Sequence, residues 1–181
     1  MNVRIISGKY GGRIIAAPPG DRTHPMGERV RNALFNSLGD LVQGANVLDA
    51  FAGTGAVGIE AISRGAKFTT FVEKDRVAQK VLQENLEKLG ATDETKLVKA
   101  PVASWADSYD GPKFDIIIAD PPYHNLQLST VSRLIGLLKP NGLMVLSHTG
   151  SSESTNLPGV VVVDNRGYGT AVLTYFHLEK K

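Results

Sequence analysis

The stretch VLDAFAGTGAVG, residues 47–58, decides the fold because it joins a strand, a glycine loop and the start of a helix. Gly53, Gly55 and Gly58 match the spacing G-x-G-x-x-G, which lets backbone approach a ligand without interference from a Cβ atom. Nicotinamide, flavin and S-adenosylmethionine sites share this spacing, and a tight strand-to-helix turn without any ligand also satisfies it. The motif therefore predicts a βα unit and leaves the ligand open.

The carboxylate of Asp49 narrows the choice of ligand. It stands at the end of the strand, just before the glycine turn. A negative charge there would crowd a pyrophosphate, but it attracts the cationic amino group of a methionine moiety. An adenosyl sulfonium ligand, S-adenosylmethionine, therefore fits this turn better than a dinucleotide.

Strand-like and helix-like segments alternate on both sides of this stretch. Strands are predicted at ANVLDAF, FTTFVEKD, TKLVKA, KFDIIIAD and GLMVLSHT, and helices at GERVRNALFNSLGDLV, GAVGIEAISRG, DRVAQKVLQENLEKLG and LSTVSRLIGLLKPNG. Such alternation implies a parallel sheet with helices on both faces. The tail GVVVVDNRGYGTAVLTYFHLE predicts two further strands in an antiparallel hairpin. We expect a doubly wound α/β fold with a seven-stranded, mostly parallel sheet.

The N-terminal segment differs from this pattern. VRIISGKYGGRIIAAP has two short β-branched runs around glycine-rich turn residues, which predicts a β-hairpin. The breaker-rich stretch PPGDRTHP follows and predicts a linker. We expect a hairpin and linker over residues 1–24 and the main domain over residues 25–181.

Two further strand ends carry residues suited to binding. Glu73 lies 20 residues after Gly53, the distance at which an acid can accept hydrogen bonds from both ribose hydroxyls. A solvated acid is the alternative. FDIIIADPPYHN, residues 114–125, ends a buried strand in Asp120 and two prolines, which lack N–H groups and leave carbonyl acceptors on a stiff turn. Tyr123 offers an aromatic face on which a flat base can stack.

Composition and charge set limits on the class of protein. The chain has 181 residues, 42% of them hydrophobic and 21% charged, and no Cys, which excludes disulfides and thiolate metal sites. No signal peptide or membrane-spanning run is evident, so we expect a cytoplasmic protein. We also expect a monomer that binds neither metal nor membrane.

Basic residues are concentrated near the N-terminus. Residues 1–31 hold six basic and two acidic side chains, whereas the chain as a whole has a net charge of +2. This excess indicates a basic surface for a polyanion, or else a solvated charged face. The candidate contacts to RNA phosphates are Arg4, Lys9, Arg13, Arg29 and Arg31.

The motifs VLDAFAGTG and DPPY, preceded by RIISGKYGGR and ERVRNALFNSL and followed by RGYGTAVL, occur together in this order. With them the chain resembles the bacterial RsmD-type methyltransferases, which modify the N2 amine of guanine in 16S ribosomal RNA. The resemblance covers nearly the whole chain. It implies a class I S-adenosylmethionine-dependent methyltransferase domain that acts on 16S rRNA or the small ribosomal subunit.

The resemblance also implies which residues form the site. The residues that would hold the cofactor are Asp49, Ala50, Phe51, Ala52, Gly53, Gly55, Glu73 and Val102. Val102 is included for its backbone, because Pro101 stands where many relatives carry Asp or Asn. The residues that would present the target amine are Asp120, Pro121, Pro122 and Tyr123, with His124 as a substrate contact rather than a base.

Two other classes of function remain open on the sequence. A DNA amino-methyltransferase acting on adenine N6 or cytosine N4 would share both motifs, but it normally needs a large recognition region. A nucleotide-binding module without catalysis would explain the glycines but not the Asp-Pro-Pro-Tyr turn.

Overall fold

The computed structural model describes residues 2–19, 26–150 and 156–180. Within these ranges the strands are β1 (Asn2–Arg4), β2 (Ile14–Ala16), β3 (Asn46–Ala50), β4 (Phe68–Glu73), β5 (Thr95–Lys99), β6 (Phe114–Ala119), β7 (Leu138–His148), β8 (Val160–Tyr168) and β9 (Ala171–Leu178). The α-helices are α1 (Glu28–Leu38), α2 (Ala56–Ser63), α3 (Arg76–Leu89), α4 (Val102–Ser108) and α5 (Leu128–Ile135). None of the described helices is long and apolar enough to cross a membrane.

Seven strands form the main sheet in the order β5-β4-β3-β6-β7-β9-β8. β3 to β7 run parallel, whereas β9 pairs antiparallel with both β7 and β8. The prediction of a seven-stranded, mostly parallel α/β sheet is confirmed. The two strands of the tail, β8 and β9, belong to this sheet as expected. The order reverses at β3, which lies between β4 and β6.

Helices cover both faces of the sheet. Neighbouring residues of a strand point to opposite faces, and because both sets of side chains are apolar here, each face packs against its own layer of helices. The first face packs α1, α2 and α3 on strand residues such as Val47, Phe71 and Ile116. The second face packs α4 and α5 on alternate residues such as Leu48 and Ile117. The strands therefore read as continuous apolar runs, since both of their faces are buried.

Several element boundaries differ from the predictions. The first helix ends at Leu38, because Gly39 leaves the helical region with a φ of 52° and a 3₁₀ turn over Gly39–Val42 follows. The helix predicted through LLKPNG ends at Ile135, and Leu138 instead pairs with Phe114 as the start of β7. α4, a helix of seven residues, was not predicted.

The N-terminal hairpin is confirmed as a two-stranded antiparallel sheet of β1 and β2. Its apolar side chains Ile5, Tyr10 and Ile15 join the core on the first face of the main sheet. Asn85 on α3 fixes β2, since its side chain accepts from the Ala16 N–H and donates to the Ala16 carbonyl. The predicted boundary at residue 24 lies outside the described residues.

A buried ion pair between α1 and α2 holds this hairpin in place through hydrogen bonds to the hairpin backbone. Arg31 on α1 and Glu60 on α2 are both completely buried, with the Arg31 Nε 3.2 Å from Glu60 Oε1. The Arg31 guanidinium also donates to the carbonyls of Arg4 and Met26, and the Glu60 carboxylate accepts from the backbone N–H groups of Ile6 and Ser7. The prediction that Arg31 contacts RNA phosphates is therefore wrong, because its charge is enclosed in the protein.

Removing Glu60 should strongly destabilise the protein. Glu60→Ala leaves the Arg31 charge buried without its partner, which typically costs about 3–5 kcal/mol of the free energy of unfolding. Urea denaturation measures this loss. Glu84→Ala, on the exposed face of α3, is the matched control and should change the free energy by at most about 0.5 kcal/mol. A loss from Glu60→Ala no larger than that of the control would contradict the prediction.

Candidate active site

Three predicted strand ends meet at one cavity of about 750 Å³. The cavity opens at the carboxyl ends of β3, β4 and β6, where the strand order reverses and ligands bind in open α/β sheets. Its lining includes the predicted residues Asp49, Phe51, Ala52, Gly53, Glu73, Val102, Asp120, Pro121, Pro122, Tyr123 and His124. The structure thus brings the glycine loop and the Asp-Pro-Pro-Tyr turn to the same space.

Asp49 is buried at the base of this cavity. Its Oδ2 accepts a hydrogen bond of 2.9 Å from the Gly58 N–H in the first turn of α2. Burial raises the pKa of the Asp49 carboxyl well above its usual value, and the negative charges of Asp120 and Glu73 raise it further, against the opposing effect of the Gly58 hydrogen bond. An ionised Asp49 is therefore best stabilised by a cationic group in the cavity.

The three motif glycines have different roles. Gly53 lines the cavity, and its N–H donates to Glu73 Oε1 at 2.7 Å. Gly55 has a φ of 80°, and a Cβ there would lie 2.1 Å from a Leu82 methyl group. Gly58 packs α2 closely onto the sheet, since its Cβ would lie 2.3 Å from the Phe71 ring. Only the first glycine approaches the ligand space.

Two predicted cofactor residues do not line the cavity. Gly55 adopts the left-handed conformation that the turn into α2 requires. Ala50 is completely buried in the core on the second face of the sheet. The next residue, Phe51, has a φ of 60°, which is rare for a bulky side chain and typical of functional loops. This conformation redirects the chain from β3 into the loop.

Glu73 joins the two loops that flank the cavity. Its two carboxylate oxygens accept hydrogen bonds from the Gly53 and Asp75 N–H groups, at 2.7 and 2.8 Å. Each oxygen has a further lone pair available for a ligand hydroxyl. The carboxylate is therefore fixed in place before any ligand binds.

Asp120 and Tyr123 present polar groups from the end of β6. The Asp120 carboxyl is partly buried, and burial raises its pKa to about 6 although a hydrogen bond from Ser147 lowers it. The Tyr123 ring is 43% exposed, with its hydroxyl 3.4 Å from Ser147 Oγ. The Pro122 carbonyl accepts the Asn125 N–H at 3.0 Å, which closes the turn. This arrangement leaves an aromatic face and a carboxylate beside one another.

The predicted RNA contacts are not gathered in one place. The backbone N–H of Lys9 donates to the Ser63 carbonyl, and the Arg13 guanidinium donates to the Lys88 carbonyl. These carbonyls lie where α2 and α3 end, beside the amino ends of the strands and away from the cavity. Lys9 also forms an ion pair with Glu94. Arg4 and Arg29, in contrast, lie near the start of α1, whose neighbouring residues line the cavity. Counting basic residues along the sequence could not distinguish these positions.

Several lining residues were not predicted. They include Met26, Gly27, Val30, Lys74, Asp75, Pro101, Ala103, Gln127 and Ala171. Lys74 and Asp75 directly follow Glu73 at the end of β4, so their position beside a strand end was a usable signal. Ser147, which contacts Tyr123, directly follows the apolar run of β7 and is the second-to-last residue of that strand, so its position near a strand end was also a usable signal.

A family model described as conserved hypothetical protein 95 matches residues 3–177. The chain belongs to this RsmD-type family. It is 37% identical over 147 residues to "Ribosomal RNA small subunit methyltransferase D" of Haemophilus influenzae, covering 78% of this chain and 76% of that protein.

Solved structures agree with this assignment. The yhhF protein from Escherichia coli is similar over 100% of both chains, with a TM-score of 0.89 and 29% sequence identity. SMU.776, which was solved in complex with SAH, shares the fold alone, with a TM-score of 0.60 and 19% identity over 82% of this chain and 48% of that chain. The seven-stranded sheet with an N-terminal hairpin is thus the architecture of a methyltransferase family.

Neutralising Asp49 should stabilise the protein in the absence of ligand. Because the pKa of Asp49 is higher in the folded than in the unfolded state, its contribution to stability is lost as the pH rises through the folded-state pKa. Asn cannot ionise, so Asp49→Asn does not lose stability as the pH rises. At pH 8 its free energy of unfolding should exceed that of the parent by on the order of 1 kcal/mol. The difference should shrink below about pH 4, where the carboxyl is protonated in both the folded and the unfolded state.

Thermal denaturation at several pH values measures this effect. Asp93→Asn, at an exposed position, is the control and should leave the pH dependence unchanged. A variant at Asp49 that is less stable than the parent at pH 8 would show that the carboxylate is not strained by burial.

Proposed function

We propose that the protein is an S-adenosylmethionine-dependent methyltransferase that modifies the exocyclic N2 amine of a guanine in 16S ribosomal RNA. The observation that carries this proposal is the shared cavity: the Asp-Pro-Pro-Tyr turn faces the same space as Asp49, Glu73 and the glycine loop. A cofactor site alone would not need an aromatic face and amine acceptors at its mouth. The family and the name of its Haemophilus influenzae relative support the choice of ribosomal RNA.

The residues of the cavity suit this cofactor. Asp49, Glu73 and Asp120 place three carboxyl groups around one space, and a ligand that carries ammonium and sulfonium charges would offset their repulsion. Glu73 would accept hydrogen bonds from the ribose hydroxyls, and Asp49 would face the methionine amine. The Val102 backbone and the Pro101 ring, at the start of α4, would bound the adenine.

The methyl group would be supplied by S-adenosylmethionine, with S-adenosylhomocysteine as the other product. The guanine amine is a poor nucleophile, because its lone pair is drawn into the ring. The Asp120 carboxylate and the Pro121 carbonyl would accept its N–H groups and favour a tetrahedral nitrogen, while the Tyr123 ring would hold the base flat. Positioning is therefore the main contribution of these residues.

The proton of the amine needs an acceptor when the new N–C bond forms and the S–C bond breaks. Asp120 is among the proposed hydrogen-bond partners of the amine, and its raised pKa of about 6 makes it a better proton acceptor than an ordinary carboxylate. Its partial exposure lets it pass the proton to water. His124 would remain a substrate contact at the exposed mouth of the cavity.

The test of this function is methyl transfer to small ribosomal subunits from a strain that lacks the gene. The parent should form N2-methylguanine in 16S rRNA, whereas Asp120→Asn and Tyr123→Ala should reduce transfer at least tenfold with little change in the binding of S-adenosylhomocysteine. Mass spectrometry of digested rRNA identifies the product. The alternative functions predict methylated adenine or cytosine in DNA, or no product at all.

Glu73 should contribute mainly to cofactor affinity. Glu73→Ala removes the acceptor of the ribose hydroxyls and should weaken binding of S-adenosylmethionine by on the order of 1–3 kcal/mol, measured by calorimetric titration. Glu87→Ala, on the exposed face of α3, is the control. Unchanged affinity in Glu73→Ala would remove Glu73 from the site.

Basic residues near the cavity should contribute to RNA affinity. Arg4→Gln with Arg29→Gln should weaken binding to 16S rRNA and lower the salt dependence, by a slope of about 0.7–0.9 for each phosphate that the variant no longer neutralises. Lys9→Gln with Arg13→Gln removes the same charge away from the cavity and serves as the control. Filter binding at several salt concentrations compares the pairs, and equal effects would contradict an RNA-binding surface near the start of α1.

A further inference from the structure

We propose that Ser147 is a positioning residue that links the Asp120 carboxylate to the Tyr123 ring through its hydroxyl. This inference rests on the proposed function for its catalytic consequence, but the link itself is a property of the protein without substrate. Ser147 lies on β7 and is only 1% exposed, so it does not contact the bulk solvent. It is not among the residues that line the cavity.

The pairing of strands places Ser147 beside Asp120. β6 and β7 run parallel, and Ala119 pairs with Leu146 in their register. The next residues on these strands, Asp120 and Ser147, therefore lie side by side at the carboxyl edge of the sheet. On its other side Ser147 pairs with Leu173 of β9, so its backbone is held between two neighbouring strands.

The hydrogen bonds have only one consistent direction when Asp120 is ionised. The strand register sets Ser147 beside Asp120, and because a carboxylate can only accept, the Ser147 hydroxyl would donate to Asp120. The Ser147 Oγ is then free to accept from the Tyr123 hydroxyl, which lies 3.4 Å away. The result is a directed chain from the Tyr123 hydroxyl through Ser147 to the Asp120 carboxylate.

This chain connects a rigid element to an exposed one. Ser147 belongs to an interior strand, whereas Tyr123 lies 43% exposed on a turn outside the sheet. A hydroxyl anchored in the strand therefore fixes the distance between the stacking ring and the carboxylate. These are the two groups that would hold the acceptor base, so Ser147 sets the geometry of the acceptor site without contacting the acceptor.

The hydroxyl also stabilises the ionised form of Asp120. Burial raises the pKa of Asp120, and the hydrogen bond from Ser147 opposes this rise. Asp49 and Glu73 face the same cavity from β3 and β4, and Lys74 and His124 also line it. These groups stay in place in a Ser147 variant, so a change in the titration of Asp120 would report the loss of the hydroxyl.

The first experiment follows the Asp120 carboxyl by NMR titration of the ligand-free protein. Ser147→Ala should raise its midpoint from about pH 6 by about one unit, and Ser147→Thr, which restores a hydroxyl, should return it toward the parent value. The control is Thr69→Val, since Thr69 carries a buried hydroxyl that has no hydrogen-bond partner among the described residues. In Thr69→Val the midpoint of the Asp120 carboxyl should match that of the parent.

The second experiment measures methyl transfer to small ribosomal subunits as a function of pH. In Ser147→Ala the acid limb of the rate profile should move to higher pH by the same unit. Transfer at pH 6 should therefore fall about fivefold, because the ionised fraction of Asp120 falls from about a half to about a tenth, and KM for the subunits should rise. Ser147→Thr should restore both, and Thr69→Val should change neither.

The two experiments separate this inference from the proposed function. A parent without activity but with a shifted Asp120 midpoint in Ser147→Ala would overturn the proposed function and support the link. An unchanged midpoint in Ser147→Ala overturns the inference, whether or not the parent methylates RNA. An active parent whose pH profile is unaffected by Ser147→Ala also overturns it.

Discussion

The parallel pairing of β3 with both β4 and β6 is the constraint on which the rest of the structure depends. Because the strand order reverses at β3, the loops that follow β3 and β6 lead to opposite faces of the sheet and leave a crevice between them. Asp49 lies at the centre of this crevice, with Glu73 and Asp120 on its two sides. Both proposed substrates therefore meet at a place that strand order alone creates.

This arrangement concentrates negative charge in a partly buried cavity, which works against folding. The pKa values of Asp49 and Asp120 are raised by burial, so their ionised forms are less stable here than in water. Hydrogen bonds from the Gly58 N–H and the Ser147 hydroxyl offset part of that cost. The part of this cost that the hydrogen bonds do not offset can be recovered when a cationic ligand binds. The buried carboxylates that destabilise the fold would therefore strengthen the binding of the proposed cofactor.

Basic residues in the N-terminal segment illustrate a different relation between charge and position. Arg31 serves the interior, where its pairing with Glu60 holds the hairpin and α1 against α2. Lys9 lies near the amino ends of the strands, away from the cavity, whereas Arg29 is exposed and directly precedes Val30, which lines the cavity. Basic residues that are close in the sequence therefore have three different positions. Arg31 is in a buried ion pair, Lys9 lies away from the cavity, and Arg29 belongs to the candidate RNA-binding surface.

The sequence by itself determined the sheet, because strand and helix periodicity, glycine turns and the hairpin tail are local patterns that agree with one another. It also located Asp49, Glu73 and Asp120, since the end of a strand is readable from the end of its apolar run. Only the tertiary structure decided that Arg31 is buried and that Ser147 lies beside Asp120. Both depend on contacts between distant segments, and the register of β7 follows an irregularity between Phe114 and Ile116 that no local pattern specifies.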